Sequence, residues 1–284
     1  MVRLFYGRQS SDALSLKKFT LEECLRHGNG VKKMDATVNG WGKKTKVVIQ
    51  CGGKGTRLRP YTMVLPKPLM PVRSQPVLEL LIKWLRRSDV REVYITTGYL
   101  GSIIKSYCGD GSRWDIKITY TDEREPLGTI GPLSLLREEL DSTFMVINGD
   151  VLTDLNVNRF LQSHRQSGAM VTVATENRKT QMDFGVIEVA DGRITSFKEK
   201  PCQNNLVSMG IYIMEPEVFR HIPKGVPFGF DDLAHCLLAN DDHIHTFQHE
   251  GLWLDIGRID DFQTAQTLMW DEQAPAHESL QSVA

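Results

Sequence analysis

The chain has 284 residues, with 34 Lys and Arg against 35 Asp and Glu, so its formal net charge is −1. This near-neutral balance excludes a protein that binds nucleic acid mainly through its net charge, and no nucleic-acid partner is expected. Hydrophobic residues make up 41% of the sequence, which is enough to fill a sizeable core and excludes a mainly disordered chain.

No segment approaches the roughly 18 consecutive apolar residues that a membrane-spanning helix needs, and the N-terminus lacks the apolar core of a secretory signal. The five cysteines form no CxxC pair, which argues against a disulfide framework and against a cysteine-based zinc site. We therefore expect a cytoplasmic protein with reduced thiols and no membrane partner. The sequence allows a homo-oligomer but does not indicate one.

From residue 46 onward, short β-rich runs alternate with longer amphipathic runs, a pattern typical of βαβ units. Strands are predicted at 46–50, 92–97, 116–121, 144–148 and 171–175, and covering helices at 77–87 and 135–141. The predicted fold is therefore α/β, with a Rossmann-like, mostly parallel central sheet flanked by helices.

The pattern changes after residue 175. Two alternating runs flank Asp191 and Gly192, and an Asp-Gly pair in that setting predicts a type I′ hairpin, so an antiparallel hairpin is inserted late in the fold. A further strand is predicted at 206–214 and a closing helix at 260–270.

The two chain ends do not follow the repeating pattern. Residues 1–45 are interpreted as an N-terminal extension and linker, and residues 271–284 as a polar, frayed C-terminal tail. Residues 46–270 then form the one folded domain that carries the motifs.

Three glycines, Gly52, Gly53 and Gly55, follow directly on the first predicted strand. The segment is not a P-loop, because no GxxxxGK[ST] occurs, and it is not a dinucleotide fingerprint, because Leu58 stands where a third glycine belongs. What remains is a glycine turn whose backbone N–H groups face an anion.

Cationic side chains follow the glycine turn. Thr56 and Arg57 extend it, which suits the binding of a triphosphate. Pro68 is expected to hold Lys67 in an extended conformation and so to define where its ammonium points. The alternative is an ordinary strand-to-helix turn that carries cations on the protein surface. The presence of both Arg57 and Lys67 next to the glycines disfavours this alternative.

The string GGxGTRLxPxT followed by PKPLxP, within residues 52–71, resembles the N-terminal signature of the sugar-1-phosphate nucleotidyltransferases, also called nucleotide-sugar pyrophosphorylases. The resemblance covers about 46–270 and implies a nucleotidyltransferase domain there. It implies a nucleotide-binding role for Gly52, Gly53, Gly55 and Thr56, and a phosphate-holding, catalytic role for Arg57 and Lys67.

Later segments resemble the same family in the same order. The loop 125–131 resembles the one that frames base and ribose, which implies nucleotide contacts for Glu125, Gly128 and Thr129. The resemblance further implies a sugar-phosphate site at Gly185, Glu199, Lys200 and Ser208, with Lys200 also catalytic, and a magnesium site at Asp150, also catalytic, and Asp255.

Physical reasoning agrees with the two metal carboxylates. Asp150 follows an apolar strand and a glycine at the edge of a parallel sheet where ligands bind, although a lone Asp there can also be a helix N-cap. Asp255 stands between Leu254 and Ile256, where an unpaired carboxylate would be costly. Two carboxylates and phosphate oxygens suit Mg²⁺.

The implied reaction is attack by a sugar-1-phosphate oxygen on the α-phosphorus of an NTP. The loop 125–131 resembles the mannose-1-phosphate guanylyltransferase branch, so GTP is the favoured donor, with mannose-1-phosphate or a similar hexose or heptose phosphate as acceptor. Gln50 and Cys51 replace small apolar residues of the family, and Ser208 replaces an Asn that faces the sugar. Thymidylyl, uridylyl or cytidylyl transfer, or a catalytically silent regulatory subunit, are the alternatives.

Three histidines, His243, His245 and His249, have a metal-like spacing. His243 and His245 are expected on one face of an edge strand without an acidic partner nearby in sequence. The interpretation is therefore a solvated edge rather than a metal site.

Overall fold

A computed structural model of the protein describes residues 45–270 and 280–282, with side chains described up to residue 268. The predictions for the N-terminal extension, for Cys24 and for most of the C-terminal tail lie outside these residues. The other cysteines, Cys51, Cys108, Cys202 and Cys236, are free thiols, as expected. Among the described helices, none has the length and apolar character needed to span a bilayer.

Strands and helices alternate along the described chain. The strands are β1 (Lys46–Cys51), β2 (Pro71–Val72), β3 (Gln75–Pro76), β4 (Glu92–Thr97), β5 (Lys117–Asp122), β6 (Phe144–Asn148), β7 (Val151–Thr153), β8 (Val171–Gln181), β9 (Val186–Ala190), β10 (Arg193–Lys198), β11 (Cys202–Met214), β12 (Ile244–Gln248), β13 (Trp253–Asp255), β14 (Leu268–Trp270) and β15 (Leu280–Ser282). The α-helices are α1 (Val77–Arg87), α2 (Gly101–Cys108), α3 (Val157–Ser167), α4 (Phe230–Ala239) and α5 (Ile259–Thr267).

A seven-stranded sheet in the order β12-β8-β11-β6-β1-β4-β5 forms the centre of the molecule. All neighbouring strands pair in parallel except β11, which is antiparallel to both β6 and β8. The predicted mostly parallel α/β fold is confirmed. The chain builds outward from β1 through β4 to β5 and then returns to β6 on the other side of β1, so a topological switch point lies between β1 and β6.

Apolar residues cover both faces of the sheet because successive side chains of a strand point to opposite faces. Val47 and Ile49 of β1 pack in a core with α1, α2 and α3, while Val48 packs in a second core with α4 and the segment that precedes β6. All three side chains are fully buried, which explains why β1 is apolar without alternation.

The predicted hairpin is confirmed as β9 and β10, which form a separate two-stranded antiparallel sheet. Asp191 and Gly192 have φ values of 49° and 74°. Positive φ at both central residues is what a type I′ turn requires.

One helix prediction is wrong, and a second extends too far toward the C-terminus. The α-helix predicted at 135–141 is absent; a 3₁₀ helix, Gly131–Leu136, overlaps only the first two residues of that range and has a proline in its first turn. The predicted 260–270 helix ends at Thr267, and its last residues instead form β14, which pairs with β15 in the part of the tail expected to fray.

Candidate active site

A cleft of about 420 Å³ lies at the switch point, where β1 and β6 end side by side. Cys51 and Asn148 are the last residues of these strands, and both line the cleft. Because the neighbouring strands are parallel, their carboxyl ends and the loops that follow them converge on this edge of the sheet.

The glycine turn after β1 forms one wall of the cleft, with Gly52, Gly53, Gly55, Thr56 and Arg57 in its lining. Gly55 has a φ of 59°, and a Cβ on it would lie 3.0 Å from side-chain carbons of both Lys67 and Thr62. A side chain at this position would be strained and crowded. The glycine turn predicted after the first strand therefore requires glycine at position 55.

Lys67 does not have the extended conformation expected from Pro68. It begins a 3₁₀ helix, Lys67–Leu69, in which the N–H of Met70 donates to the carbonyl of Lys67 over 3.0 Å. Pro68 is tolerated because the first turn of a helix leaves N–H groups without intrahelical partners anyway.

Arg57, Lys67, Asp150 and Asp255 form one charged cluster in the cleft. The Lys67 ammonium makes an ion pair with Asp150 and lies 3.5 Å from Oδ1 of Asp255, while Nη2 of Arg57 lies 3.7 Å from Oδ2 of Asp255. The Lys67 and Asp150 side chains are each only 14% exposed. Asp255 is therefore paired with two cations, and not alone among apolar neighbours as its sequence context suggested.

Backbone pairing brings the two carboxylates together. β13 pairs antiparallel with β7, with Asp255 opposite Val151, and the N–H of Ile256 donates to the carbonyl of Asp150 over 3.0 Å. The N–H of Gly257 donates to Oδ1 of Asp255 over 2.8 Å, which orients that side chain.

Burial dominates the electrostatics of the lysine. It lowers the pKa of Lys67, the nearby Asp255 carboxylate raises it, and the nearby Arg57 guanidinium lowers it further. The ammonium is thus held in a poorly solvated position mainly by the carboxylates that it neutralises.

A second group of lining residues, Gln50, Glu123 and Thr129, is polar. The Gln50 amide donates to the carbonyl of Thr129, so the residue that departs from the family pattern anchors the 125–131 loop. Oε2 of Glu123 accepts the N–H of Leu127 over 3.1 Å. Burial raises the pKa of the Glu123 carboxyl, and the hydrogen bond from Leu127 opposes this.

Glu125, the acid selected from the sequence, is exposed and does not line the cleft, whereas Glu123 does. β5 ends at Asp122, so Glu123 is the first residue beyond the strand at the edge where the cleft lies. The strand boundary was the signal that could have identified it. Of the other loop residues selected from the sequence, Gly128 and Thr129 both line the cleft.

The residues assigned to the sugar phosphate lie apart from the cleft lining, on β11 and beside the hairpin. A Cβ on Gly185 would lie 3.2 Å from Oε2 of Glu199, and Lys200 is exposed with a φ of 43°. The Ser208 hydroxyl donates to the Tyr212 hydroxyl over 3.1 Å.

The donor chemistry of the charged cluster fits a hard divalent cation. Asp150 and Asp255 both reach one ammonium, and carboxylate oxygens from two residues, completed by phosphate oxygens and water, are a typical Mg²⁺ environment. Within residues 45–268, these two carboxylates are not joined by a third His, Cys, Asp or Glu side chain placed to hold a metal ion.

The predicted edge strand is confirmed, but His243 lies just before it, and His245 and His249 are partly buried rather than solvated. β12 is the edge strand of the sheet, and His245 hydrogen-bonds to Ser163 over 3.1 Å. His249 has an acidic partner, Asp154 at 2.8 Å, which is distant in sequence.

Comparison with known proteins agrees with this arrangement. The family model described as Nucleotidyl transferase matches residues 46–272, so the chain belongs to the nucleotidyl transferase family. It is 33% identical over 240 residues to a UTP--glucose-1-phosphate uridylyltransferase of Synechocystis sp., covering 78% of this chain and 62% of that relative. It is also 33% identical over 241 residues to the mannose-1-phosphate guanylyltransferase catalytic subunit beta of Danio rerio, covering 81% of this chain and 67% of that one.

The matched region thus spans about two thirds of the length of these relatives. Among solved structures, a putative glucose-1-phosphate thymidylyltransferase from Bacillus anthracis matches with a TM-score of 0.63 and 24% identity over 78% of this chain and 94% of that chain. HddC from Yersinia pseudotuberculosis matches with a TM-score of 0.63 and 23% identity over 78% and 98%. These likenesses confirm the fold.

Proposed function

We propose that the protein transfers a nucleotidyl group from an NTP to a sugar-1-phosphate, releasing pyrophosphate and forming an NDP-sugar. The observation that carries this proposal is the charged cluster, in which two cations and two carboxylates meet beside a glycine turn at the switch point. A site of this composition suits the binding of two phosphate-bearing substrates and contains no Ser or Cys nucleophile in its charged part.

The reaction needs no general base. A sugar-1-phosphate, with a second pKa near 6, is mostly dianionic at neutral pH and can attack the α-phosphorus directly. The bond from phosphate oxygen to α-phosphorus forms as the bond to pyrophosphate breaks, and charge accumulates on the phosphate oxygens. We assign the stabilisation of that charge to Arg57 and Lys67, and the sugar phosphate to Lys200.

We assign Mg²⁺ to Asp150 and Asp255. The ion would neutralise phosphate oxygens and act as a Lewis acid at the phosphate. Both carboxylates are already paired with Lys67, so this lysine and the metal share the same anionic partners.

GTP is the nucleotide that we favour. Guanine presents an N–H and an adjacent amino group, which match the two acceptor oxygens of one carboxylate, whereas uracil and thymine present a single N–H between two carbonyls. Glu123 supplies such a carboxylate in the cleft lining. Relatives named as mannose-1-phosphate guanylyltransferases support this choice, and the uridylyltransferase relative keeps UTP as the first competitor.

Pyrophosphate release should be measured for each NTP against a panel of sugar-1-phosphates with Mg²⁺, using the full chain. We expect GTP with mannose-1-phosphate, or a close hexose or heptose analogue, to be the fastest pair. Preference for another NTP with every sugar would contradict the guanylyl assignment alone. Nucleotide binding without turnover of any pair would contradict the proposed transfer and favour a regulatory subunit.

A further inference from the structure

Asp261 contacts the backbone of Asp255, a member of the charged cluster, but does not line the cleft. Its side chain is only 6% exposed, and it is the one buried carboxylate among the described side chains of residues 45–268. Burying a carboxylate is costly unless cations and hydrogen-bond donors satisfy it. The partners of Asp261 therefore indicate what its position achieves.

The two oxygens of Asp261 have different partners. Oδ2 accepts the backbone N–H of Asp255 over 3.0 Å, and Oδ1 makes an ion pair with Arg178. One carboxylate thus connects β13, which carries Asp255, with the outer part of β8.

Arg178 extends this connection. Its guanidinium lies 5.1 Å from the ring centroid of Trp253, two residues before Asp255, and the indole N–H of Trp253 donates to the carbonyl of Met209 over 2.9 Å. Three elements, β8, β11 and the first turn of α5, therefore contact β13 in addition to its partner strand β7.

These contacts determine where the Asp255 carboxylate lies. The backbone of Asp255 is held by Asp261, and its side chain is held by Gly257, Lys67 and Arg57. Groups that hold a metal ligand in place typically change metal affinity or activity 10–100-fold when they are removed. A purely structural role for Asp261 predicts lower stability with unchanged metal affinity.

We propose that Asp261, held by Arg178, is a positioning residue that keeps the Asp255 carboxylate in place for a divalent cation shared with Asp150. The inference rests on the proposed function only for the identity of the substrates whose reaction requires the metal. The binding of Mn²⁺ alone can be tested without that function.

The test compares the full-length wild type with Asp261→Ala, Asp261→Asn and Asp260→Asn. Asp260 is the matched control, because it is an exposed acid in the same first turn of α5. Free Mn²⁺ is titrated by electron paramagnetic resonance in the absence of nucleotide, pyrophosphate release is measured against Mg²⁺ concentration, and thermal unfolding is recorded for each variant.

We expect Asp261→Ala to weaken Mn²⁺ binding by roughly 10–100-fold and to raise the Mg²⁺ concentration for half-maximal rate, with partial recovery of the rate at saturating Mg²⁺. Asp261→Asn should weaken binding less, because its side-chain carbonyl can still accept the N–H of Asp255. Asp260→Asn should resemble the wild type. If Asp261→Ala does not fold, the comparison of Asp261→Asn with Asp260→Asn carries the test.

Lower thermal stability of the Asp261 variants with Mn²⁺ and Mg²⁺ dependences equal to those of Asp260→Asn would overturn the proposal. So would a wild type that binds no Mn²⁺. A wild type that releases no pyrophosphate, but whose Mn²⁺ binding is weakened by Asp261→Ala, would contradict the proposed function and support the positioning role.

Discussion

The Lys67 ammonium lies against both carboxylates of the charged cluster and balances part of their charge. Mg²⁺ bound by the same two side chains would compete with it for the same oxygens. The single-residue contacts therefore connect two functions, phosphate binding by the lysine and metal binding by the acids. Substitutions can separate them.

Asp150→Ala and Asp255→Ala should each lower the turnover rate by about 10²–10³ or more, since each removes a preorganised electrostatic element. The double variant should be little worse than either single one, because residues that act as a unit are strongly non-additive. Turnover and its magnesium dependence are the measurements. Asp141→Ala, an exposed acid paired with Lys46, is the control. Multiplicative losses in the double variant would show that the two acids do not share an ion.

Lys67→Gln should lose turnover and yet bind Mn²⁺ more tightly than the wild type without nucleotide. The reason is that two neighbouring carboxylates lose their ammonium partner and retain their need for a cation. A titration with free Mn²⁺ measures this. Lys105→Gln, which removes an exposed lysine paired with Asp122, should leave Mn²⁺ affinity unchanged. Weaker Mn²⁺ binding by Lys67→Gln would contradict competition between lysine and metal.

At the level of elements, β11 approaches a cleft-lining residue through an irregularity. Its register against β8 shifts between Ser208 and Tyr212, and Gly210 within this shift has a φ of 72°. A Cβ on Gly210 would lie 2.9 Å from Cγ of Asn148, a cleft-lining residue at the end of β6. Position 210 thus requires glycine for two reasons: its φ is positive, and Asn148 leaves no room for a Cβ.

Gly210→Ala should therefore be more destabilising than Gly192→Ala, the matched control in the hairpin turn. Gly192 has a similar φ of 74° but no atom within 4 Å of the added Cβ. The backbone strain common to both should cost about 1–2 kcal/mol, and overpacking at Gly210 should add about 1–3 kcal/mol. Urea unfolding measures the difference, and nucleotide affinity should fall only for Gly210→Ala. Equal losses of stability would exclude the predicted contact with Asn148.

At the scale of the whole molecule, a partly buried polar network links α3 to the central sheet. His164 of α3 is 1% exposed and hydrogen-bonds to Thr172 of β8 at 2.7 Å and to Glu215, just after β11, at 2.9 Å. Thr143, before β6, donates to Glu215 over 2.9 Å. The hydrogen bond with His164 lowers the pKa of Glu215, burial opposes it, and Thr143 adds to the lowering.

This network predicts a pH dependence of stability. A carboxyl whose pKa is depressed on folding contributes stability above its ordinary value, here 4.5, and loses it as the pH falls through the folded pKa. Wild type should therefore exceed Glu215→Gln in urea resistance at pH 7, and the difference should shrink below about pH 4.5. Glu217→Gln, an exposed acid two residues further on, is the control. A difference that is constant from pH 7 to pH 4 would contradict the role of Glu215.

Local sequence patterns determined several strands, the hairpin, the glycine turn and the position of Asp150. β1, β4 and β6 were predictable because strands buried on both faces are continuous apolar runs, and the hairpin was predictable because Asp191 and Gly192 both accept a positive φ. The glycine turn followed from its place after β1. Asp150 could be placed at the edge of the sheet because it comes two residues after the end of β6.

Only the tertiary structure decided which side chains meet. The contact of Lys67 with Asp150 and Asp255 depends on β13 pairing with β7 across a separation of about a hundred residues, which no local pattern encodes. The choice of Glu123 over Glu125 depended on the path of the chain after β5, which brings Glu123 and not Glu125 into the cleft lining. Asp261 is an ordinary acid in the first turn of a helix by sequence, and its burial against Arg178 and the backbone of Asp255 gives it a specific role.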